Sequence, residues 1–204
     1  SAARRVLREH RLSPSTALVT MHVGGEGFEG RKRWAPERFA EVGNGLVERC
    51  NAQVLLIGGR DDRALAEQTA ALMPRGATVL AGATPLKVTA ALIEQSTLFI
   101  GNDSGPLHMA AAVNTPAVGI FGPSDWRQFQ PIGKPGYQQR VVHSNLPCSP
   151  CFRFVGNDPW WYRNPCHSRA CLEAISPQQV LDAALALLEG RAARPTPRDA
   201  RRGD

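Results

Sequence analysis

The chain has 204 residues, 43% of them hydrophobic, and a formal net charge of +6. That is enough material for one well-cored domain with irregular additions, and the absence of any run of about 18 apolar residues excludes a membrane-spanning helix. The start, Ser1-Ala2-Ala3-Arg4-Arg5, has no apolar stretch after its basic residues and is not a signal peptide.

The charge lies at the ends. Arg4, Arg5, Arg8 and Arg11 open the chain, and Arg191, Arg194, Arg198, Arg201 and Arg202 close it. The body between them is close to neutral, so the basic ends read as solvated and no nucleic-acid partner is expected; binding of nucleic acid or anionic lipid by the tail is the alternative.

Ala3 to Leu12 resembles the end of a helix, and residues 1–15 read as a helix and linker entering from upstream. Ala17 to Val23 is a strand, broken by Gly24-Gly25-Glu26-Gly27. Pro36 opens a helix with Phe39, Val42, Leu46 and Val47 at helical spacing. Gln53 to Ile57 is a short apolar strand of the kind buried on both faces of a parallel sheet. A helix follows over Asp61 to Met73, a strand over Thr78 to Ala81 and a helix over Pro85 to Gln95. Thr97 to Ile100 is a strand, a small-residue helix starts at Pro106, and Pro116 to Phe121 is the next strand, with Val141-Val142 as a candidate sixth. Strands alternating with helices imply an α/β, Rossmann-like parallel sheet of about six strands, with helices on both faces, over residues 16–145. Residues 146–175 are irregular and rich in Cys, Pro and Trp. Ser176-Pro177-Gln178-Gln179 is a capping box that opens a C-terminal helix over 176–190. The Arg-, Ala- and Pro-rich tail, 191–204, is expected to be disordered.

The most informative run is Gly101-Asn102-Asp103-Ser104-Gly105-Pro106-Leu107-His108. A strand ends, a turn of small residues follows, and a helix begins with Pro in its first turn. The N–H groups of Ser104 and Gly105 then face outward at the positive end of the helix dipole, an arrangement that binds phosphate. His108 lies one turn further on the same face. Asp103 or Ser104 as a simple helix cap is the bland alternative.

Two glycine-rich loops join this turn at the carboxyl edge of the sheet, where open α/β sheets bind ligands. One runs from Gly24 to Arg31-Lys32-Arg33-Trp34 and supplies backbone N–H groups and cations; it is not a Walker A loop. The other, Gly58-Gly59-Arg60-Asp61-Asp62, places a carboxylate where it can accept ribose hydroxyls or simply cap a helix. Cys148, Cys151, Cys166 and Cys171 have a spacing compatible with structural zinc or iron, with disulfides or with unlinked thiols.

Lys32-Arg33-Trp34-Ala35-Pro36, Val54 to Gly59 with Asp61, Leu80-Ala81-Gly82, Gly101 to His108 and Gly119-x-Phe121-Gly122-Pro123 together resemble glycosyltransferase family 9, the heptosyltransferases of lipopolysaccharide assembly. The resemblance covers the C-terminal half of such an enzyme, one of the two Rossmann-like domains of a GT-B architecture. It implies that this half grips a nucleotide-diphosphate sugar, ADP-heptose first among candidates, for inverting transfer to a lipopolysaccharide-type, glycan or lipid-linked acceptor. The missing N-terminal domain, upstream or on a companion chain, supplies the base; no catalytic base is assigned in this chain. The implied donor-binding set is Gly24, Lys32, Asp61, Leu80, Asp103, Ser104, Gly105, Pro106 and His108. Lys32 and His108 stabilise the leaving group, Asp103 holds sugar hydroxyls, and Leu80 to Thr84 line the base pocket. Transfer needs no cofactor, and the expected place is the cytoplasm or the inner face of a membrane. The gap between Cys151 and Cys166 is longer than in the family pattern. The alternative functions are a non-catalytic nucleotide-binding or metal-knuckle interaction module and half of a nucleotide-sugar epimerase.

Overall fold

The structure is a computed structural model that describes residues 1–13, 16–25, 30–152, 154–155, 158–159 and 168–192. Six parallel strands form one sheet in the order β3-β2-β1-β4-β5-β6. They are β1 (Leu18–His22), β2 (Gln53–Leu56), β3 (Thr78–Val79), β4 (Leu98–Asn102), β5 (Ala117–Phe121) and β6 (Gln139–His143). The expected sixth strand is therefore present and longer than its Val-Val core, whereas the third is shorter than Thr78 to Ala81.

Period-two alternation sorts the side chains onto two faces. Val19, Met21, Val54, Leu56, Ile100, Val118 and Ile120 share one apolar core with α2 (Pro36–Cys50), α3 (Arg63–Ala71) and α8 (Pro177–Ala192). Leu18, Leu55, Phe99, Ala117 and Phe121 share the other with α1 (Ala2–Glu9), α4 (Leu86–Glu94) and α5 (Gly105–Ala112). Every residue of β1, β4 and β5 is buried, as expected for central strands of a sheet covered on both sides.

Local chemistry sets the element ends. Pro36 starts α2, and Asn51 ends it in the left-handed conformation at φ 49°. The expected Asp61–Met73 helix begins instead as a 3-10 turn, Arg60–Asp62, before α3. The α5 helix begins at Gly105, one residue before Pro106. The capping box forms: the Ser176 N–H donates to Gln179 Oε1 at 2.8 Å, and the Gln179 N–H donates to Ser176 Oγ at 3.3 Å. Gly45 lets α2 meet α8, since a Cβ there would lie 2.7 Å from Leu181 Cδ2.

The segment expected to be irregular contains structure. After the short helix α6 (Trp126–Phe129), Phe152 bridges to Ser124, and β7 (Phe154–Val155) pairs antiparallel with β8 (Asp158–Pro159). Helix α7 (Ala170–Glu173) then packs on the main core through Cys171 and Leu172. Cys166 and the tail from residue 193 lie outside the described residues, as do Glu26 to Glu29 of the first glycine-rich loop. No described helix is long and apolar enough to cross a membrane.

Candidate functional site

In this strand order the chain winds to one side through β1-β2-β3 and to the other through β4-β5-β6, so a crevice opens beyond the carboxyl ends of β1 and β4. The predicted phosphate turn lies there. Ser104 is the extended N-cap of α5, at φ −160°, and its side chain makes no capping bond. Pro106 has no N–H and the Leu107 N–H donates to the Ser104 carbonyl at 3.0 Å, so Gly105 carries the first-turn N–H that the cap does not serve. Gly105 is exposed, Pro106 half-buried, and His108 exposed one turn along the helix.

The cationic loop reaches this turn. Lys32 Nζ donates to Asp103 Oδ2 at 2.7 Å, with the two side chains only 15% and 6% exposed. The ammonium also lies 4.6 Å from the Phe152 ring centroid and 5.5 Å from that of Phe129. Two residues 71 positions apart thus form one ion pair at the mouth of the crevice.

Asn102 fixes the loop. Its Oδ1 accepts the Trp34 N–H at 3.0 Å, while Nδ2 donates to the Val23 and Gly24 carbonyls at 3.3 and 2.9 Å. Trp34 is buried and anchors the opposite side, Nε1–H donating to the Ile175 carbonyl at 3.1 Å. Arg33 Nε donates to the Gly25 carbonyl at 2.8 Å.

Beneath the turn lies a buried polar chain. His22, at the end of β1, has Nδ1 3.0 Å from Ser104 Oγ and Nε2 3.2 Å from Asp62 Oδ2. The Asp62 carboxylate also accepts N–H groups from Gly59 at 2.8 Å and Gly25 at 3.3 Å. The His22 hydrogen bond, with its positive charge and the two amides adding to it, outweighs desolvation and holds the Asp62 carboxyl down at about 2. Asp62 is therefore an anion at neutral pH, and the His22 Nε2 carries the proton between them.

The predicted residues are not equivalent. Lys32, Asp103, Ser104, Gly105, Pro106 and His108 gather at one turn. Asp61 is exposed, and its neighbour Asp62 is the buried carboxylate. The Leu80 side chain belongs to the apolar core, 3% exposed, so only its backbone faces the loop that follows β3. Gly24 serves the approach of Asp62, since a Cβ at Gly24 would lie 1.7 Å from Asp62 Oδ1. Cys148 is exposed, Cys151 half-buried and Cys171 buried in the apolar core. No group of three or more His, Cys, Asp or Glu side chains is placed to hold a metal among the described residues.

The family pattern of glycosyltransferase family 9 (heptosyltransferase) matches residues 14–158, more than half of the chain. The chain belongs to glycosyltransferase family 9. It is 28% identical over 167 residues to lipooligosaccharide heptosyltransferase 2 of Campylobacter jejuni, covering 81% of this chain and 49% of that protein. It is 40% identical over 101 residues to lipopolysaccharide heptosyltransferase 3 of Escherichia coli, covering 47% of this chain and 29% of that one. Among solved structures of the family, the E. coli ADP-heptose lps heptosyltransferase II superposes with a TM-score of 0.74 at 26% identity, over 94% of this chain and 52% of that one. The chain spans about half, or less, of the length of the relatives it matches.

Two residues of this candidate site escape sequence reasoning. His22 and Asn102 are polar residues at the ends of fully buried strands. A polar side chain at the carboxyl edge of a central parallel strand is the signal that would have found both.

Proposed function

We propose that this chain is the donor half of an inverting sugar transferase, and that the Asp103–Ser104 turn binds the diphosphate of a nucleotide-sugar donor. The observation that carries the reading is the convergence of the α5 N-terminus, the Ser104 hydroxyl and the Lys32 ammonium on one crevice edge. Its relatives' heptosyltransferase names support an ADP-heptose donor and a lipopolysaccharide-type acceptor.

On this reading the N–H groups of Ser104 and Gly105 hold phosphate oxygens, the Ser104 hydroxyl turns to them from the Asn102 carbonyl, to which it donates at 3.1 Å, and His108 reaches another from the same helix face. An acceptor hydroxyl attacks the anomeric carbon from the side opposite the phosphate. The bond from that carbon to the bridging phosphate oxygen breaks, and its electron pair stays on the nucleoside diphosphate. Negative charge grows there, where Lys32 and the helix N-terminus are already placed, and a pre-placed cation lowers the barrier because it needs no reorganisation. Asp103, bound to Lys32, presents its second carboxylate oxygen to sugar hydroxyls. The acceptor proton leaves to a base on the other half of the enzyme. Transfer requires no metal on this scheme; a structural zinc or iron on the cysteines is outside it. The place of reaction is the cytoplasm or the inner membrane face.

Calorimetric titration with ADP, UDP and GDP tests the reading. Selective binding of ADP, weakened about tenfold or more in Ser104→Ala and His108→Ala, is the expected result. Equal affinity in all variants, or no binding of any diphosphate, overturns it.

A further inference from the structure

A second cavity opens at the same carboxyl edge of the sheet, beyond β5 and β6. It encloses about 280 Å³, the lower end of the size range of small-molecule sites. Ser124, which follows β5, and Ser144, which follows β6, both line it. They are 2% and 8% exposed, and neither hydroxyl oxygen has a hydrogen-bond partner. A buried hydroxyl without a partner is costly, so two on one cavity point to something that bonds them there.

The rest of the lining identifies the chemistry. Arg127 is the cation of the wall, and Asp125 neutralises it through bonds of 2.8 and 3.1 Å. The His143 Nδ1–H is spent on the Ser144 carbonyl at 3.0 Å. Its ring stacks on Trp126, with centroids 5.4 Å apart and planes 21° from parallel. Asn145 adds a carboxamide. A lining of hydroxyls, an amide and an indole, with its charge paired internally, suits neither an anion nor a cation. Serine hydroxyls both donate and accept, as sugar hydroxyls do, and the Trp126 indole, with His143 stacked on it and the Arg127 guanidinium 5.9 Å from its centroid, adds a rigid apolar wall with a polar handle.

We propose that this cavity is a subsite for one neutral sugar residue. Phe152 links the segment beside the cavity to Lys32. The Phe152 N–H donates to the Pro123 carbonyl at 2.7 Å, its carbonyl accepts from Asp125, and its ring faces Lys32. Assigning that sugar to the acceptor glycan rests on the transferase reading; sugar binding itself does not.

Saturation-transfer NMR with methyl α-D-glucopyranoside and methyl α-D-mannopyranoside, with and without saturating ADP, tests the subsite. At least one glycoside is expected to bind in both conditions, and Ser124→Ala, Ser144→Ala and Trp126→Ala each to weaken it about fivefold or more. The two serine variants are expected to keep their melting temperature, because each deletes a hydroxyl that has no protein partner. No signal up to ~50 mM glycoside overturns the proposal, as does a signal unchanged in all three variants. Displacement by ADP would place the sugar at the diphosphate turn, and displacement by inorganic phosphate would make the cavity an anion site; either overturns it. A melting temperature lowered in both serine variants, with no glycoside bound, would mean that water satisfies the hydroxyls. Glycoside binding without ADP binding counts against the donor reading alone.

Discussion

His22 and Asp62, 40 residues apart, meet beneath the Asp103–Ser104 turn with Nε2 3.2 Å from Oδ2, both almost wholly buried. The pair ties the end of β1 to the start of α3. Through Nδ1 it also reaches Ser104, so one imidazole links a carboxylate fixed by two amides to the hydroxyl at the N-cap of α5.

Asp62 makes stability depend on acid in a defined window. Its carboxyl falls from an ordinary 3.8 to about 2 on folding, so it contributes stability at pH values above about 4. That contribution, on the order of 2 kcal/mol, is lost as the pH falls through 2. Urea unfolding of the parent and Asp62→Asn between pH 2 and 6 checks it. The stability gap between them is expected to be widest at pH 5–6 and to close toward pH 2. A gap independent of pH would mean that the carboxylate charge is not what the pair uses.

Gly24→Ala puts a methyl group where the Asp62 carboxylate stands, 1.7 Å from Oδ1. The carboxylate has to leave, and with it go the bonds from Gly25 and His22. A loss of about 2–4 kcal/mol is expected from clash and broken network together. A double-mutant cycle separates this clash from a general effect on the loop. In an Asp62→Ala background the cost of Gly24→Ala is expected to fall by at least about 1 kcal/mol, and strict additivity would rule out the carboxylate as the obstacle.

The sheet was legible in the sequence because buried parallel strands are short apolar runs and Gly or Pro punctuates their ends. The strand–turn–helix at Asp103–Ser104 was legible because Pro106 and the small residues before it have local meaning. The polar chain below it was not. His22 is a lone histidine after an apolar run, and only the β1–β4 pairing places it against Ser104 and Asp62. Asp61 and Asp62 are indistinguishable by type; the 3-10 turn, Arg60–Asp62, decides which one points inward. The direction of the Leu80 side chain was hidden for the same reason: its position after a strand is read from the sequence, and its packing in the core is not.

Removing either partner of the Lys32–Asp103 pair is expected to have unequal effects. Lys32→Ala strands the Asp103 carboxylate, 6% exposed, without its cation, and should cost about 2–3 kcal/mol. Asp103→Ala leaves an ammonium that still faces the Phe152 and Phe129 rings and has a long stem to reach water, so a loss under about 1.5 kcal/mol is expected. Thermal unfolding of both variants measures the asymmetry. In ADP titration the order persists, because Lys32→Ala removes the positive charge and Asp103→Ala does not. Equal losses in both measurements would show that the pair acts only as a structural clasp.

Arg38 holds the C-terminal segment against the site loop. Its Nη1 lies 3.4, 2.7 and 2.6 Å from the carbonyls of Leu172, Glu173 and Ile175 around the end of α7. Next to it, Trp34 donates to the same Ile175 carbonyl, so the cationic loop and the α7 turn share one acceptor. Arg38→Ala is expected to cost about 1 kcal/mol, because the Glu173 carbonyl loses its side-chain donor while the Leu172 and Ile175 carbonyls keep the Ile175 and Trp34 N–H groups. Arg38→Lys should recover less than half of that, because a shorter stem ending in an ammonium cannot place its nitrogen where Nη1 meets the three carbonyls. Hydrogen exchange locates the effect. Amides of 170–176 are expected to lose protection in Arg38→Ala while those of β4 and β5 keep theirs, and a uniform loss across the sheet would mean that Arg38 stabilises the fold as a whole and not this docking.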